Sequence, residues 1–151
     1  YYIILEDTDP KEAEKVWSKY MKQYDSKTKR DRKTKEYLSD NAEIDGMSNN
    51  TVDVYTKFEE MGDNTKVMVW FDLGGAYLSS IQHQDRAPAA QKLMQGYGRE
   101  MTKIRIEDQL DGEKKTLKSL NGDMKDLRKD KDDYEDEIAK CEKKIEEMKK
   151  K

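Results

Sequence analysis

Thr51-Val52-Asp53-Val54-Tyr55-Thr56-Lys57-Phe58 and Val67-Met68-Val69-Trp70-Phe71-Asp72-Leu73, separated by the turn residues Gly62-Asp63-Asn64, alternate with a period of two. Val52, Val54 and Phe58 point one way along the first run, and Val67, Val69, Phe71 and Leu73 repeat the pattern along the second. Asp53, Tyr55, Lys57, Met68, Trp70 and Asp72 look the other way. Successive side chains of a strand leave on opposite faces, so this pattern predicts an antiparallel hairpin with one apolar face and one mixed face. A sheet of that kind buries its apolar side under helices.

The flanking sequence supplies those helices. Tyr1-Tyr2-Ile3-Ile4-Leu5 reads as a short first strand. Asp9, Pro10 and Glu12 then occupy N-cap, N1 and N3 of a helix start, where the carboxylate satisfies orphan amides and proline's missing N–H costs nothing. Ala13, Val16, Trp17, Tyr20, Met21 and Tyr24 share one face at helical spacing, and the helix is expected to end near Tyr24 or Asp25. Tyr37-Leu38 through Ala42 and Ile44 predicts a further strand, closed by Asp45-Gly46, and Gly74-Gly75 a bulge or bend before Ala76-Tyr77-Leu78. Asp85 is placed to cap a second helix with Pro88 in its first turn, and Ala90, Leu93, Met94, Tyr97, Met101 and Ile104 form a wide apolar face along it. Gly96 and Gly98 bracket Tyr97 at a helix-propensity cost of about 1 kcal/mol each, which predicts close approach to a strand or loop, or a kink.

The second helix runs on into a different kind of sequence. Leu117, Leu120, Met124, Leu127, Lys131, Tyr134, Ile138, Cys141, Ile145 and Met148 follow at alternating spacings of three and four, with Leu110 one heptad earlier. This 3.5-residue repeat is the seam of a coiled coil, narrower than the buried face of a globular helix. Its surroundings balance fifteen Lys/Arg against fifteen Asp/Glu between Lys103 and Lys151, which suits a solvated helix surface and argues against a basic nucleic-acid arm. With Leu110 at an a position, a parallel in-register dimer sets Asp130 against Glu135, Glu137 against Glu142 and Lys144 against Lys149, while only Asp123 and Arg128 attract. Antiparallel packing lets Asp130 and Asp123 face Lys144 and Lys151, and Arg128 face Glu142, so the charges favour antiparallel partners. The partner is a second copy, a helix of another protein, or a continuation of this chain. Lys131, Gly112 and Gly122 weaken the seam.

The expected class is therefore α+β: a β-α-β-β-β-α head over residues 1–105 with a one-sided antiparallel sheet, and a coiled-coil extension over 106–151. At 151 residues, 42% of them charged, one core spanning the whole chain is not expected. No run reaches the roughly 18 apolar residues of a membrane span. The chain opens on Tyr1, already inside an apolar run, so a preceding leader or a removed signal peptide is expected.

The stretch Met47-Ser48-Asn49-Asn50-Thr51-Val52-Asp53-Val54-Tyr55, then Val69-Trp70-Phe71-Asp72-Leu73-Gly74-Gly75-Ala76-Tyr77-Leu78 and a long charged helix, resembles a group of uncharacterised envelope proteins of Bacteroidota. The resemblance covers residues 1 to about 110 in pattern. It implies a secretory signal peptide and a periplasmic or envelope location, with a cytoplasmic one as the alternative; it implies no chemistry.

Catalytic signals are sparse. His83 is alone, Cys141 is the single cysteine, and no Gly-rich phosphate loop is present, so neither a metal cluster nor a His-based triad can be assembled. Ser79 and Ser80 beside Gln82 and His83 suit a capping or loop role better than a nucleophile and base. No enzyme activity and no cofactor are expected. Two surfaces outside the seam remain. Lys27, Lys29, Arg30, Arg32, Lys33 and Lys35 form a basic run that reads as an anion contact or as a solvated loop. Tyr55, Met68 and Trp70, opposite the helices, form a candidate binding face for a protein or glycan. The expected function is that of a structural or adaptor protein of the envelope whose partner is another helix, with no nucleic-acid partner and membrane association only indirect or through a partner. The alternative is a ligand- or glycan-binding module built on the face around Trp70.

Overall fold

The computed structural model describes residues 1–150. Lys151, the last basic residue of the predicted seam flank, lies outside them. The elements run β1 (Tyr2–Leu5), α1 (Pro10–Tyr20), a 3-10 turn over Met21–Tyr24, β2 (Lys27–Arg30), β3 (Tyr37–Ala42), β4 (Val52–Met61), β5 (Asn64–Asp72) and α2 (Ala87–Lys149). The class is α+β. The strands form one antiparallel sheet in the order β1-β5-β4-β3-β2, a meander of β2 to β5 with β1 added at the far edge.

The hairpin pairs Val54 with Phe71, Thr56 with Val69 and Phe58 with Val67. Val52, Val54, Val67, Val69 and Phe71 are fully buried on the face that α1 and the first part of α2 cover. From α1 come Ala13, Val16 and Trp17, and from α2 Ala90, Leu93, Met94, Tyr97 and Met101. Trp17 packs edge-to-face on Tyr97 at 4.9 Å, and the Tyr97 hydroxyl donates to the Ala13 carbonyl at 2.7 Å, so one buried tyrosine ties the two helices together. The Asp9 carboxylate caps α1 by accepting from the Lys11 amide at 2.8 Å.

The sheet has one strand more than the predicted order. Lys27–Arg30 pairs with β3, although the sequence there carries no apolar alternation. Its inward contacts are made by other means. The Thr28 hydroxyl bonds Ser39 Oγ at 2.7 Å, and the Arg30 guanidinium sits 5.7 Å from the centre of the Tyr37 ring. A lysine-rich edge also discourages pairing with another chain. The remaining boundaries shift slightly: β3 ends at Ala42, with Ile44 buried just beyond it, and α2 starts at Ala87, two residues past Asp85. There the Arg86 and Ala87 amides donate to the His83 carbonyl.

By contacts the chain divides into two compact units, Tyr1–Arg105 and Ile106–Lys151. Every buried residue belongs to the first, the last of them being Met101. Among the described residues of the second, none is buried.

Candidate functional site

The residues of the predicted seam stand on one helix that runs from Ile106 to Lys149 without interruption. Leu110, Leu117, Leu120, Met124, Leu127, Tyr134, Ile138, Ile145 and Met148 are between 47% and 69% exposed. Cys141 is a free, exposed thiol. Lys131 pairs along its own helix with Glu135 at 3.1 Å, and this hydrogen bond pushes the ammonium pKa up. The helix surface offers little stability of its own. The pairs Asp111–Lys114, Lys131–Glu135 and Glu146–Lys150 are exposed on both sides and, screened by solvent, contribute little. Gly112 and Gly122, with open space where a Cβ would stand, cost about 1 kcal/mol each. Among the described residues of this segment the apolar stripe is therefore the one substantial source of stabilisation, and it acts only once covered.

The open face of the sheet carries the second candidate. Leu38, Tyr55 and Trp70 lie in one cross-strand row, with Met68 and Tyr2 paired in the next. Trp70 is 41% exposed, and the Tyr77 ring, returned by the loop after β5, lies 6.2 Å from Tyr55. That return is built by Gly74 and Gly75, both at positive φ, whose amides donate to Asp72 Oδ1 at 3.0 and 3.3 Å. An isolated bridge between Asp72 and Tyr77 closes the loop. Gly74-Gly75 thus turns the chain back on the sheet.

This face is electrically two-ended. At one end Asp53 and Asp72 stand directly opposite each other, with Asp40 nearby on β3. Like charges in that position repel, and here the Asn41 amide on Asp53 and the two glycine amides on Asp72 offset the repulsion. Desolvation and then the neighbouring Tyr77 and carboxylates push the Tyr55 phenol up. At the other end Lys66 stands 5.2 Å from the Tyr2 ring, and Lys57 pairs with Glu59 at 2.8 Å.

Two hollows adjoin the sheet. One of about 360 Å³ lies beside Trp70, between Tyr1, Tyr77 and Ser79. A larger one of about 520 Å³ lies between the β1 edge and α2, lined by Ile3, Leu5, Met94, Gly98 and Met101, with Arg105 donating to the Glu6 carbonyl at its end. The second was not anticipated from the sequence. Its only signal there is a glycine, Gly98, on the helix face next to buried methionines. Met68 lines neither hollow.

The basic run does not form one cradle. Lys27 and Lys29 fall on the open face, opposite Asp40 and Leu38, while Arg30 pairs with the buried Tyr37 on the other side. Arg32, Lys33 and Lys35 belong to a turn ordered by Asp31, whose carboxylate accepts from the Lys33 and Thr34 amides at 2.6 and 2.9 Å and is held below its usual range by them.

His83 and Ser79 also have local roles. His83 Nδ1 accepts from the Ser79 amide at 3.1 Å, and Ser79 Oγ accepts from the Ile81 and Gln82 amides. Both side chains thereby shape the turn before α2. Among the described residues no group of three or more His, Cys, Asp or Glu is placed to hold a metal, and no helix is long and apolar enough to cross a membrane.

No protein-family model matches the chain, and no curated protein or solved structure resembles it at a significant level.

Proposed function

We propose that this chain is a non-enzymatic structural or adaptor protein that associates through its C-terminal helix and presents a small α+β head. The observation that carries this reading is the apolar stripe from Leu110 to Met148, interrupted at Glu113 and Lys131 and about half or more exposed at every large apolar residue, on a helix segment with no buried residue among those described. Burying a leucine at such a seam contributes about 1.5–3 kcal/mol, which exceeds any pairing available on the helix surface. The reading extends to an envelope or periplasmic location, with the cytoplasm as the alternative, and to a partner that is itself a helix. Placing lysines at the centre of the seam tests it. The full-length Leu120→Lys/Leu127→Lys variant should lose association in sedimentation velocity and lose co-purifying partners from native membranes, with an unchanged near-ultraviolet circular dichroism spectrum from the head. Association that survives both lysines would rule the seam out.

A second reading, glycan or ligand binding on the open sheet face, is favoured by the hollow that Trp70 shares with Tyr1 and Tyr77, with Tyr55 beside Tyr77 on the same face. A deep apolar pocket lined by Met68 and Trp70 would have favoured it more, and Met68 does not line the hollow beside Trp70. Because Trp17 is fully buried, quenching of indole fluorescence on titration with neutral oligosaccharides would report Trp70 alone.

A further inference from the structure

We infer that the groove between β1 and α2 takes an extended acidic peptide of a partner protein, which joins the five-stranded sheet as a further strand beside β1. All of its lining lies within residues 1–105, so the site is independent of the C-terminal stripe. Three observations carry it.

The first is a row of open ladder positions. In the sheet β1 pairs with β5 alone. The Val69 amide donates to the Tyr1 carbonyl at 2.8 Å, which makes Tyr1 and Val69 a hydrogen-bonded pair. Such pairs alternate along an antiparallel ladder, so Ile3 with Val67 and Leu5 with Thr65 are bonded pairs too. The N–H and C=O groups of Tyr2 and Ile4, and the Glu6 carbonyl beyond them, then point away from β5. The Glu6 carbonyl already has a partner of the kind an added strand supplies, since Arg105 Nη1 donates to it at 2.7 Å. Among the described residues no hydrogen bond reaches the outward groups of Tyr2 and Ile4.

The second is the contrast between the two edges of the sheet. β2 guards its edge with Lys27, Lys29 and Arg30, charges that discourage strand addition. β1 reads Tyr-Ile-Ile-Leu, with no charge and no proline, and Tyr2 and Ile4 are 65% and 48% exposed. An edge left in that state is a template for another strand.

The third is the shape and charge of the floor beside this edge. Across a hollow of about 520 Å³, α2 faces β1 with Met94, Gly98 and Met101, and Gly98 has open space where a Cβ would stand. A strand sends every second side chain to the same face, so one apolar side chain of the peptide fits over Gly98 between the two methionines. To the same lining α2 contributes Arg99 and Arg105 and no carboxylate, and Glu6 is the one acidic residue there. Among the described residues neither arginine makes an ion pair. A helix-facing apolar residue with an acidic one two positions away on each side matches this arrangement, and a basic peptide does not.

The full chain and synthetic hexapeptides test the site. The fluorescein-labelled peptide Val-Glu-Val-Leu-Val-Glu puts Glu, Leu and Glu on one face of a strand and the valines on the other. Its anisotropy should rise saturably on titration with the chain, and Val-Lys-Val-Leu-Val-Lys should not bind. Gly98→Leu, which fills the hollow from open space, and Arg99→Glu should each weaken binding at least about tenfold, with an unchanged near-ultraviolet circular dichroism spectrum from the head. Methylating the valine nitrogens removes the ladder donors of an antiparallel addition, and methylating the other three removes those of a parallel one. One of these two peptides should therefore lose binding and the other keep it. In amide hydrogen exchange, Tyr2 and Ile4 should exchange fast in the free chain and slowly with the peptide bound, whereas Ile3 and Leu5 stay protected throughout. Binding that survives both methylation patterns, or Gly98→Leu, would overturn strand addition. Tyr2 and Ile4 amides protected without peptide would also overturn it, because the edge would already be covered by another segment or a second copy. So would the lack of saturable binding at millimolar chain.

Discussion

The hydroxyl of Tyr20 occupies the place a side chain on Gly96 would take. From there it donates to the Leu93 carbonyl at 2.9 Å and contacts the Tyr24 hydroxyl at 3.2 Å, so α1 and α2 are joined at a point that only a glycine permits. Gly98, two residues on, has open space around it. The same substitution should therefore have opposite signs at the two sites. Gly98→Ala should stabilise the head by about 0.5–1 kcal/mol through helix propensity, and Gly96→Ala should destabilise it by about 1–3 kcal/mol through overpacking. Urea unfolding would measure both. In a Tyr20→Phe background most of the Gly96→Ala cost should vanish; a cost that persists would place the conflict elsewhere.

The phenols of Tyr20, Tyr37 and Tyr97 are all pushed up, first by burial, with a Tyr24 hydrogen bond adding at Tyr20 and a Glu14 hydrogen bond at Tyr37, which reaches about 12. An unfolded tyrosine titrates near 10, so above that pH the unfolded chain holds fewer protons than the folded one and stability falls as pH rises. The contribution is complete below about pH 10 and is lost on the way up through the folded values. The urea midpoint should drop clearly between pH 9 and pH 11, and Tyr97→Phe should lessen the drop. A midpoint unchanged at pH 11 would contradict the burial of these rings.

Neighbouring residues on β5 should separate the two faces of the sheet. Phe71→Ala empties a fully buried site and should cost about 3–5 kcal/mol. Trp70→Ala removes a larger but 41% exposed ring whose main sheet partner is Tyr55, and should cost about 1 kcal/mol. Equal costs in thermal or urea unfolding would mean that something covers the open face.

What the sequence disclosed and what it hid follow from the kind of signal each element carries. The β4–β5 hairpin and the buried stripe of α1 were legible because alternation and helical spacing are direct projections of burial. β2 was not, because Lys-Thr-Lys-Arg holds its edge position through a hydroxyl pair and a cation over an aromatic ring, neither of which leaves a hydrophobic period. Gly96 and Gly98 announced close approach to a strand or loop; the segment that approaches is instead the end of α1, at Gly96 alone, because its partner Tyr20 lies far earlier in the chain and only the packing of α1 on α2 brings them together. The Tyr77 contact on the open face depended likewise on two positive-φ glycines turning the chain back. The C-terminal helix was legible too, because a three-four spacing of apolar residues is a helical period whatever it packs against.

Lys131 is the one charged a position within the strict repeat, and its pair with Glu135 is exposed on both sides. Exposed pairs of this kind, screened by solvent, contribute little, whereas a buried leucine contributes about 1.5–3 kcal/mol. Lys131→Leu should therefore tighten self-association by at least about 1 kcal/mol per copy, read as a lowered dissociation constant in sedimentation equilibrium. Weaker association in the variant would mean that Lys131 meets an acidic partner within the seam.

The most direct measurement is light scattering on the full chain and on a chain ended after Arg105, with circular dichroism of both. All the buried residues among those described lie before that point, so the short form should remain folded and cooperative while falling to the mass of a monomer. The full chain should show a larger, concentration-dependent mass. A short form that unfolds would make the helix part of the core, and one that keeps the association state of the full chain would contradict the assignment of association to the seam.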